Sequence, residues 1–194
     1  VGKIEKAGSI GKAGYGWETV IVDPSGSPVP QGEIGELAVK GPAVMVCYYR
    51  DPKATAQVLK NGWLFTGDMA VEDEDGFITL VDRKKDVIIS GGENLYPVQI
   101  EDFLRTYEPV HDVAVIGLPD KRLGEIAAAI ISIKPGYDCT EDEINRFCRK
   151  LPRYKRPHKI IFAEVPRNRA GKIEKPKLRA IYASARLVQA QNRG

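Results

Sequence analysis

The chain has 194 residues, 43% of them hydrophobic and 28% charged, with a net charge of +3. That is enough material for one large domain or two small ones with a buried core. No apolar run reaches 18 residues, which excludes a helical membrane span, and three widely spaced cysteines (Cys47, Cys139, Cys148) without C-x-x-C spacing exclude a zinc-ribbon or disulfide framework.

The chain opens on "VGKIEKAGSIGKAGYG", which has neither an initiator Met nor the apolar core of a signal peptide; it reads as the start of a fragment or a processed product from a reducing, cytoplasmic setting. "TVIVD" (19–23) and "EIGELAVKG" (33–41) are predicted strands on either side of the turn cluster "PSGSPVPQG". "DPKATAQVLKNG" (51–62) predicts a short helix, with Asp51 as N-cap, Pro52 in its first turn and Gly62 as its stop. "WLFTGDMAVEDEDGFITLVDR" (63–83) predicts a hairpin about Asp75-Gly76. From "KKDVIISGGENLYP" onward helices alternate with strands. A helix opens at Pro97 with Ile100, Phe103, Leu104 and Tyr107 on one face, and strands cover 112–119 and 125–134. A Thr140/Glu143 capping box starts a helix carrying Ile144, Phe147, Cys148 and Leu151. A strand over 159–166 and a last helix opened by Pro176, with Leu178, Ile181, Tyr182 and Ala185 inside, complete the pattern. The expected class is α+β. A β unit at 1–82 with one helix joins, through "DRKKD" (junction 83–86), an α+β unit at 87–194.

Several residues are candidates for chemistry. Asp68, in "GWLFTGD", ends an apolar strand after a small Thr-Gly pair. Such a carboxylate can accept hydrogen bonds from the vicinal hydroxyls of a ribose, or it can be a turn aspartate that bonds its own backbone. Arg83 offers a fork of donors to hydroxyls or phosphates, whereas Lys84 and Lys85 beside it also suit a solvated loop. Gly91-Gly92 permit positive φ and close approach of a ligand, or simply a turn. Lys172 follows Gly171, but Pro166 and Ile173 stand where a Walker A loop needs Gly and Ser or Thr, so that reading fails. His111 and His158 form no nucleophile constellation, and no metal-ligand spacing is present. Residues 149–179 hold twelve Lys and Arg against two Glu, a balance of +10, which implies an anionic partner without naming one.

Taken in order, "GEIGELAVKGPAVMVCYYRDPKAT", "GWLFTGD", "GFITLVDRKKDVIISGGENLYPVQIE", "VAVIGLPD" and "LPRYKRPHKIIFAEVPRNRAGKIEKPKLR" resemble the AMP-forming acyl-CoA synthetases. These belong to the wider adenylate-forming enzymes, with the peptide-synthetase adenylation domains and the luciferases. The resemblance implies a small β-barrel-like subdomain followed by a mobile α+β C-terminal domain. It implies that Asp68 and Arg83 bind the ATP ribose, that Lys85 is the hinge, that Gly92 with Gly91 approaches the pantetheine arm of CoA, and that Lys172 serves the adenylation step. ATP, Mg2+, CoA and a carboxylic acid are the implied substrates and cofactors. The family's Ser/Thr/Gly-rich phosphate loop and its aromatic-Gly-x-Thr-Glu motif do not occur here, so the chain is expected to lack most of the N-terminal domain and to be inactive alone. A peptide-synthetase-type adenylation fragment is the alternative within the family. A basic nucleic-acid-binding module is the alternative outside it, opposed by the few aromatics (Tyr154, Phe162) among the cations.

Overall fold

In the computed structural model, residues 6–191 are described, with side chains through residue 183. The backbone separates into two units, Val1–Lys85 and Asp86–Gly194.

The first unit is an antiparallel sheet of five strands with one short helix. Its strands are β1 (Glu18–Val22), β2 (Gly35–Lys40), β3 (Leu59–Lys60), β4 (Trp63–Glu72) and β5 (Ile78–Arg83), and α1 (Pro52–Val58) precedes β3. The order is β1-β2-β4-β3, with β5 also paired to β4. Ile21, Leu37, Ala70 and Ile78 form its small core. The Asp51 carboxylate accepts the Ala54 N–H at 2.9 Å, so the helix start expected from the sequence is found. Its stop is not. The helix ends at Val58, Leu59 and Lys60 pair with Leu64 and Trp63, and Asn61 (φ 51°) and Gly62 (φ 80°) form the tight turn between those strands. Gly62 serves a hairpin rather than a helix terminus, because two consecutive positive-φ residues match the twist of a two-residue hairpin loop.

The second unit is α+β. Strands β6 (Ile88–Ser90), β7 (Glu93–Leu95), β8 (Val110–Asp120), β9 (Gly124–Ile133) and β10 (Lys159–Phe162) make one sheet of order β10-β9-β6-β7, with β8 also paired to β9. Only the β9–β10 pair is parallel. The apolar runs of β8 and β9 lack polar alternation because both sheet faces are covered. One face (Val113, Val115, Ala127, Ala129, Ile131) packs under Ile100 and Leu104 of α2 (Pro97–Arg105) and under Ile144 and Cys148 of α3 (Glu141–Cys148). The other (Ala114, Ile116, Leu118, Ile126, Ala128, Ile130) packs under Leu178 of α4 (Lys175–Gln191).

The Thr140/Glu143 capping box is present with both reciprocal bonds. Tyr107 and Leu151 lie just beyond the helices predicted to carry them. Tyr107 still packs, its ring 4.6 Å from that of Phe147, which itself stacks on Phe103. The strand predicted over 159–166 closes at Phe162, although the Ala163 N–H still reaches Ile131 O at 3.0 Å. The side chain of Ala185 falls outside the described residues.

Candidate functional site

Asp68 and Arg83 face each other across β4 and β5 as cross-strand partners, and Arg83 Nη1 donates to Asp68 Oδ1 at 2.7 Å. The Asp68 N–H is taken by Thr66 Oγ1 (3.1 Å), whose own hydroxyl donates to Leu37 O (2.8 Å). Gly67 between them adopts φ 73°, and its N–H is accepted by Glu36 Oε1 at 3.0 Å. Glu36 is buried in β2 beside a register shift, and its second oxygen accepts from Lys84 Nζ at 2.7 Å. The Thr66-Gly67-Asp68 corner is therefore fixed by two side chains. Asp68 lies inside β4 rather than at its end, and its partly exposed carboxylate is engaged by the Arg83 guanidinium instead of capping a turn. Glu36 escaped the sequence reading. The strand read over 33–41 holds two acids, Glu33 and Glu36, and nothing local marks the second as the buried one.

Lys84, Lys85 and Asp86 form one turn of 3-10 helix between β5 and β6. Each flank is held by its own unit. Lys84 is bound to Glu36, and the buried Asp86 accepts Arg179 Nη2 of α4 at 2.6 Å. Lys85, between these two anchors, is exposed.

Gly91 (φ 60°) and Gly92 (φ 88°) are the two-residue turn of the β6–β7 hairpin, closed by the Ser90–Glu93 pair. This hairpin was legible only as an apolar run followed by a double glycine, because each strand is three residues long. The Gly91 N–H donates to Leu123 O at 2.9 Å, and a β-carbon on Gly91 would lie 3.1 Å from Leu123 Cδ2. At Gly92 a β-carbon would meet nothing within 4 Å, so this glycine faces open space.

Lys172 stands on a turn bounded by the Arg167–Ile173 bridge. Asn168 organises the turn. Its Oδ1 accepts the N–H groups of Ala170 (2.9 Å) and Lys172 (3.0 Å), and its own N–H donates to Lys172 O (2.9 Å). Gly171 takes φ 77°, which a residue with a side chain adopts reluctantly. Lys172 is exposed, and among the described residues its ammonium has no hydrogen-bond or ion-pair partner.

The +10 stretch is less free than its sequence implies. Arg167 pairs with Asp112, Lys175 with Glu101, Arg179 with Asp86, and Lys177 with Glu174. Three of these acids lie far upstream, so part of the basic excess is the counter-charge of this unit's own carboxylates. Among the described residues no group of three or more His, Cys, Asp or Glu gathers as a metal site, and no helix is long and apolar enough to cross a membrane.

Comparison with known proteins gives this geometry a family. Residues 99–172 match the AMP-binding enzyme C-terminal domain, and residues 1–49 match the AMP-binding enzyme model. The chain is 44% identical over 177 residues to a feruloyl-CoA synthase from Amycolatopsis, covering 90% of this chain and 36% of that protein. It is 45% identical over 175 residues to a long-chain-fatty-acid–CoA ligase from Escherichia coli, covering 89% and 31%. The chain thus spans about a third of the length of these curated relatives. ATP-bound MatB from Rhodopseudomonas palustris superposes with a TM-score of 0.85 at 35% identity, over 91% of this chain and 36% of that one. An o-succinylbenzoate CoA synthetase from Bacillus subtilis, in complex with its acyl-adenylate intermediate, gives 0.83 at 36% identity over 90% and 36%. The chain belongs to the AMP-binding, adenylate-forming enzymes and carries that family's C-terminal domain.

Proposed function

We propose that the protein containing this chain is an AMP-forming acyl-CoA synthetase, joining a carboxylic acid to CoA at the expense of ATP. The observation that carries this reading is Lys172: an unpaired ammonium on a turn whose backbone is fixed on both sides of it. The relatives named as CoA synthases and ligases support the CoA-using branch over a peptide-synthetase-type adenylation domain.

The reaction has two steps. In the first, a carboxylate oxygen forms a bond to the α-phosphorus of ATP, the bridging bond to the β-phosphate breaks, and pyrophosphate leaves. Two anions must meet, so a cation that touches both lowers the barrier. Lys172 supplies it, as a compact charge on a flexible stem. Asp68 accepts hydrogen bonds from the ribose hydroxyls through oxygen sites that its single bond from Arg83 leaves open, and Arg83 holds that carboxylate and reaches the same sugar. Mg2+ would accompany the ATP phosphates. In the second step the CoA thiolate attacks the acyl carbon and AMP leaves. Gly91 and Gly92 give the pantetheine arm an approach without a side chain in the way, at a turn where the space beyond Gly92 is open. Lys85 is the pivot that exchanges the lysine turn for the glycine turn, with Lys84 and Asp86 anchored on either side. The protein works in the cytoplasm.

The test uses the full-length protein and both half-reactions. Lys172→Ala should cripple pyrophosphate release while sparing thioester formation from supplied acyl-AMP. Equal loss of both would refute the role given to the lysine. The chain by itself, Val1–Gly194, should release no pyrophosphate from ATP with any carboxylic acid. Tight, steeply salt-dependent binding of polynucleotide, with no binding of CoA, would instead favour a nucleic-acid module.

A further inference from the structure

One arginine ties the Lys172 turn to the sheet. Arg167 Nε donates to Asp112 Oδ2 and Arg167 Nη2 to Asp112 Oδ1, both at 2.9 Å, and Nη2 also lies 2.7 Å from Oδ2. The remaining arm, Nη1, donates to the carbonyl of Gly171 at 2.6 Å. A single guanidinium therefore joins a carboxylate near the start of β8 to the peptide that precedes Lys172. Asp112 sits at a register shift in β8, and its Oδ1 also accepts the Val113 N–H at 2.9 Å. Bulges of this kind re-aim a side chain.

An exposed ion pair ordinarily contributes little. This one differs in two respects. It is two-pronged, which fixes orientation as well as distance, and the Asp112 side chain is only 16% exposed. Its third bond ends on backbone rather than on another mobile side chain. Asn168 holds the turn from within, through the Lys172 N–H and carbonyl, and Arg167 holds it from without. The lysine stem is long and flexible, so its ammonium finds the reacting atoms efficiently only if its base is fixed.

We propose that Asp112 and Arg167 are positioning residues for Lys172, setting the placement of its turn for the adenylation step. This rests on the reading of Lys172 given above. Neither residue touches substrate in this scheme. Arg167 is already committed to Asp112 and Gly171, and Asp112 acts only through Arg167.

The experiment compares Asp112→Asn, Arg167→Lys and Lys172→Ala in the full-length protein, measuring pyrophosphate release, thioester formation from supplied acyl-AMP, and the KM for ATP. Asp112→Asn removes the charge that aligns the guanidinium, and Arg167→Lys keeps a cation but cannot make the three-way contact. Each should lower kcat for pyrophosphate release by about tenfold to a hundredfold, the range expected of misplacement by an ångström or less. The KM for ATP should stay within about twofold, and the thioester half-reaction should keep its rate. Amide hydrogen exchange across residues 168–172 should quicken in both. Unchanged adenylation in Asp112→Asn, alongside a crippled Lys172→Ala, would overturn this inference alone. So would an equal fall in both half-reactions, which would mark a pair that merely stabilises the fold. A rise in the KM for ATP confined to Arg167→Lys would make Arg167 a substrate ligand and overturn it too. Normal adenylation in Lys172→Ala would overturn the reading of the lysine, and this inference with it.

Discussion

Removing the Glu101 carboxylate should strand a buried ammonium. Lys175 Nζ lies 2.8 Å from Glu101 Oε1, and the two side chains are only 10% and 4% exposed. The same oxygen accepts the Val115 N–H at 2.7 Å, on a strand residue with no exposure, and Arg105 Nη2 stands 3.7 Å from the other oxygen. Breaking a buried pair by deleting one partner costs about 3–5 kcal/mol, and a buried N–H left without an acceptor costs about 1–3 kcal/mol. The two losses overlap at one residue, so Glu101→Ala should destabilise the second unit by about 4 kcal/mol, a large part of the ~5–15 kcal/mol typical of a domain. Glu101→Gln keeps an acceptor for Val115 and should cost about 1 kcal/mol less than Glu101→Ala. Lys175→Met with Glu101→Gln should cost less than the sum of the two single changes, by about 0.5–3 kcal/mol, because no lone charge remains. Urea unfolding followed by far-UV circular dichroism measures these differences. Trp17 and Trp63 both lie in Val1–Lys85, so their fluorescence gives an internal reference for the other unit. A Glu101→Ala protein within about 0.5 kcal/mol of wild type, the range of ordinary surface changes, would refute the argument.

Burial pushes the Cys148 thiol up to about 11 from 9.0, against an opposing pull from Arg156. A raised value favours the protonated thiol in the folded state. That stability is complete below pH 9 and is lost as the pH climbs towards 11. Cys148→Ala should therefore flatten the alkaline fall of the melting temperature in that window, and an unchanged alkaline limb would refute it. Gly92→Val has room for its side chain but not for its backbone at φ 88°, so it should cost about 1–2 kcal/mol in urea unfolding. In the full-length protein it should slow thioester formation more than adenylation, and equal slowing would remove the CoA role. Lys85→Pro should restrict the turn between the two anchors and slow passage from adenylation to thioester formation, while unchanged rates of both steps would place the pivot elsewhere.

How much of this was readable in advance depended on whether the information was local. Asp51 and the Thr140/Glu143 box were legible because a cap and the donor it satisfies lie three residues apart. The runs of β8 and β9 were legible as strands because each is a short apolar run bounded by turn residues, Pro119-Asp120 after the first and Gly124 and Pro135-Gly136 around the second. Gly62 was misassigned because a helix stop and a hairpin turn both need positive φ, and only the pairing of Leu59 and Lys60 with β4 distinguishes them. Among the candidate site residues, Asp68, Arg83 and Lys172 stood out by position in motifs. Three of their supports (Glu36, Asp112, Arg167) did not, because each acts through a partner chosen by tertiary structure, whereas Asn168 bonds the backbone two and four residues on, a local signal that was missed. Arg167 and Lys175 looked like two more charges of a basic run.

The ion pairs of that basic run also bear on the order in which the unit is completed. Asp86 and Arg179 are separated by 93 positions, and Asp112 and Arg167 by 55. During synthesis the acids emerge first and wait for their cations. Until the segment from Arg167 to Arg179 has docked, Asp86, Glu101 and Asp112 have no counter-charge from it, and the sheet face beneath α4 lacks Leu178. Such distant closures are entropically costly and slow to form. The segment from Arg167 to Arg179, made after the acids it meets, therefore acts as a latch on β8 and α2, and the turn bearing Lys172 reaches its final form in the same closing event.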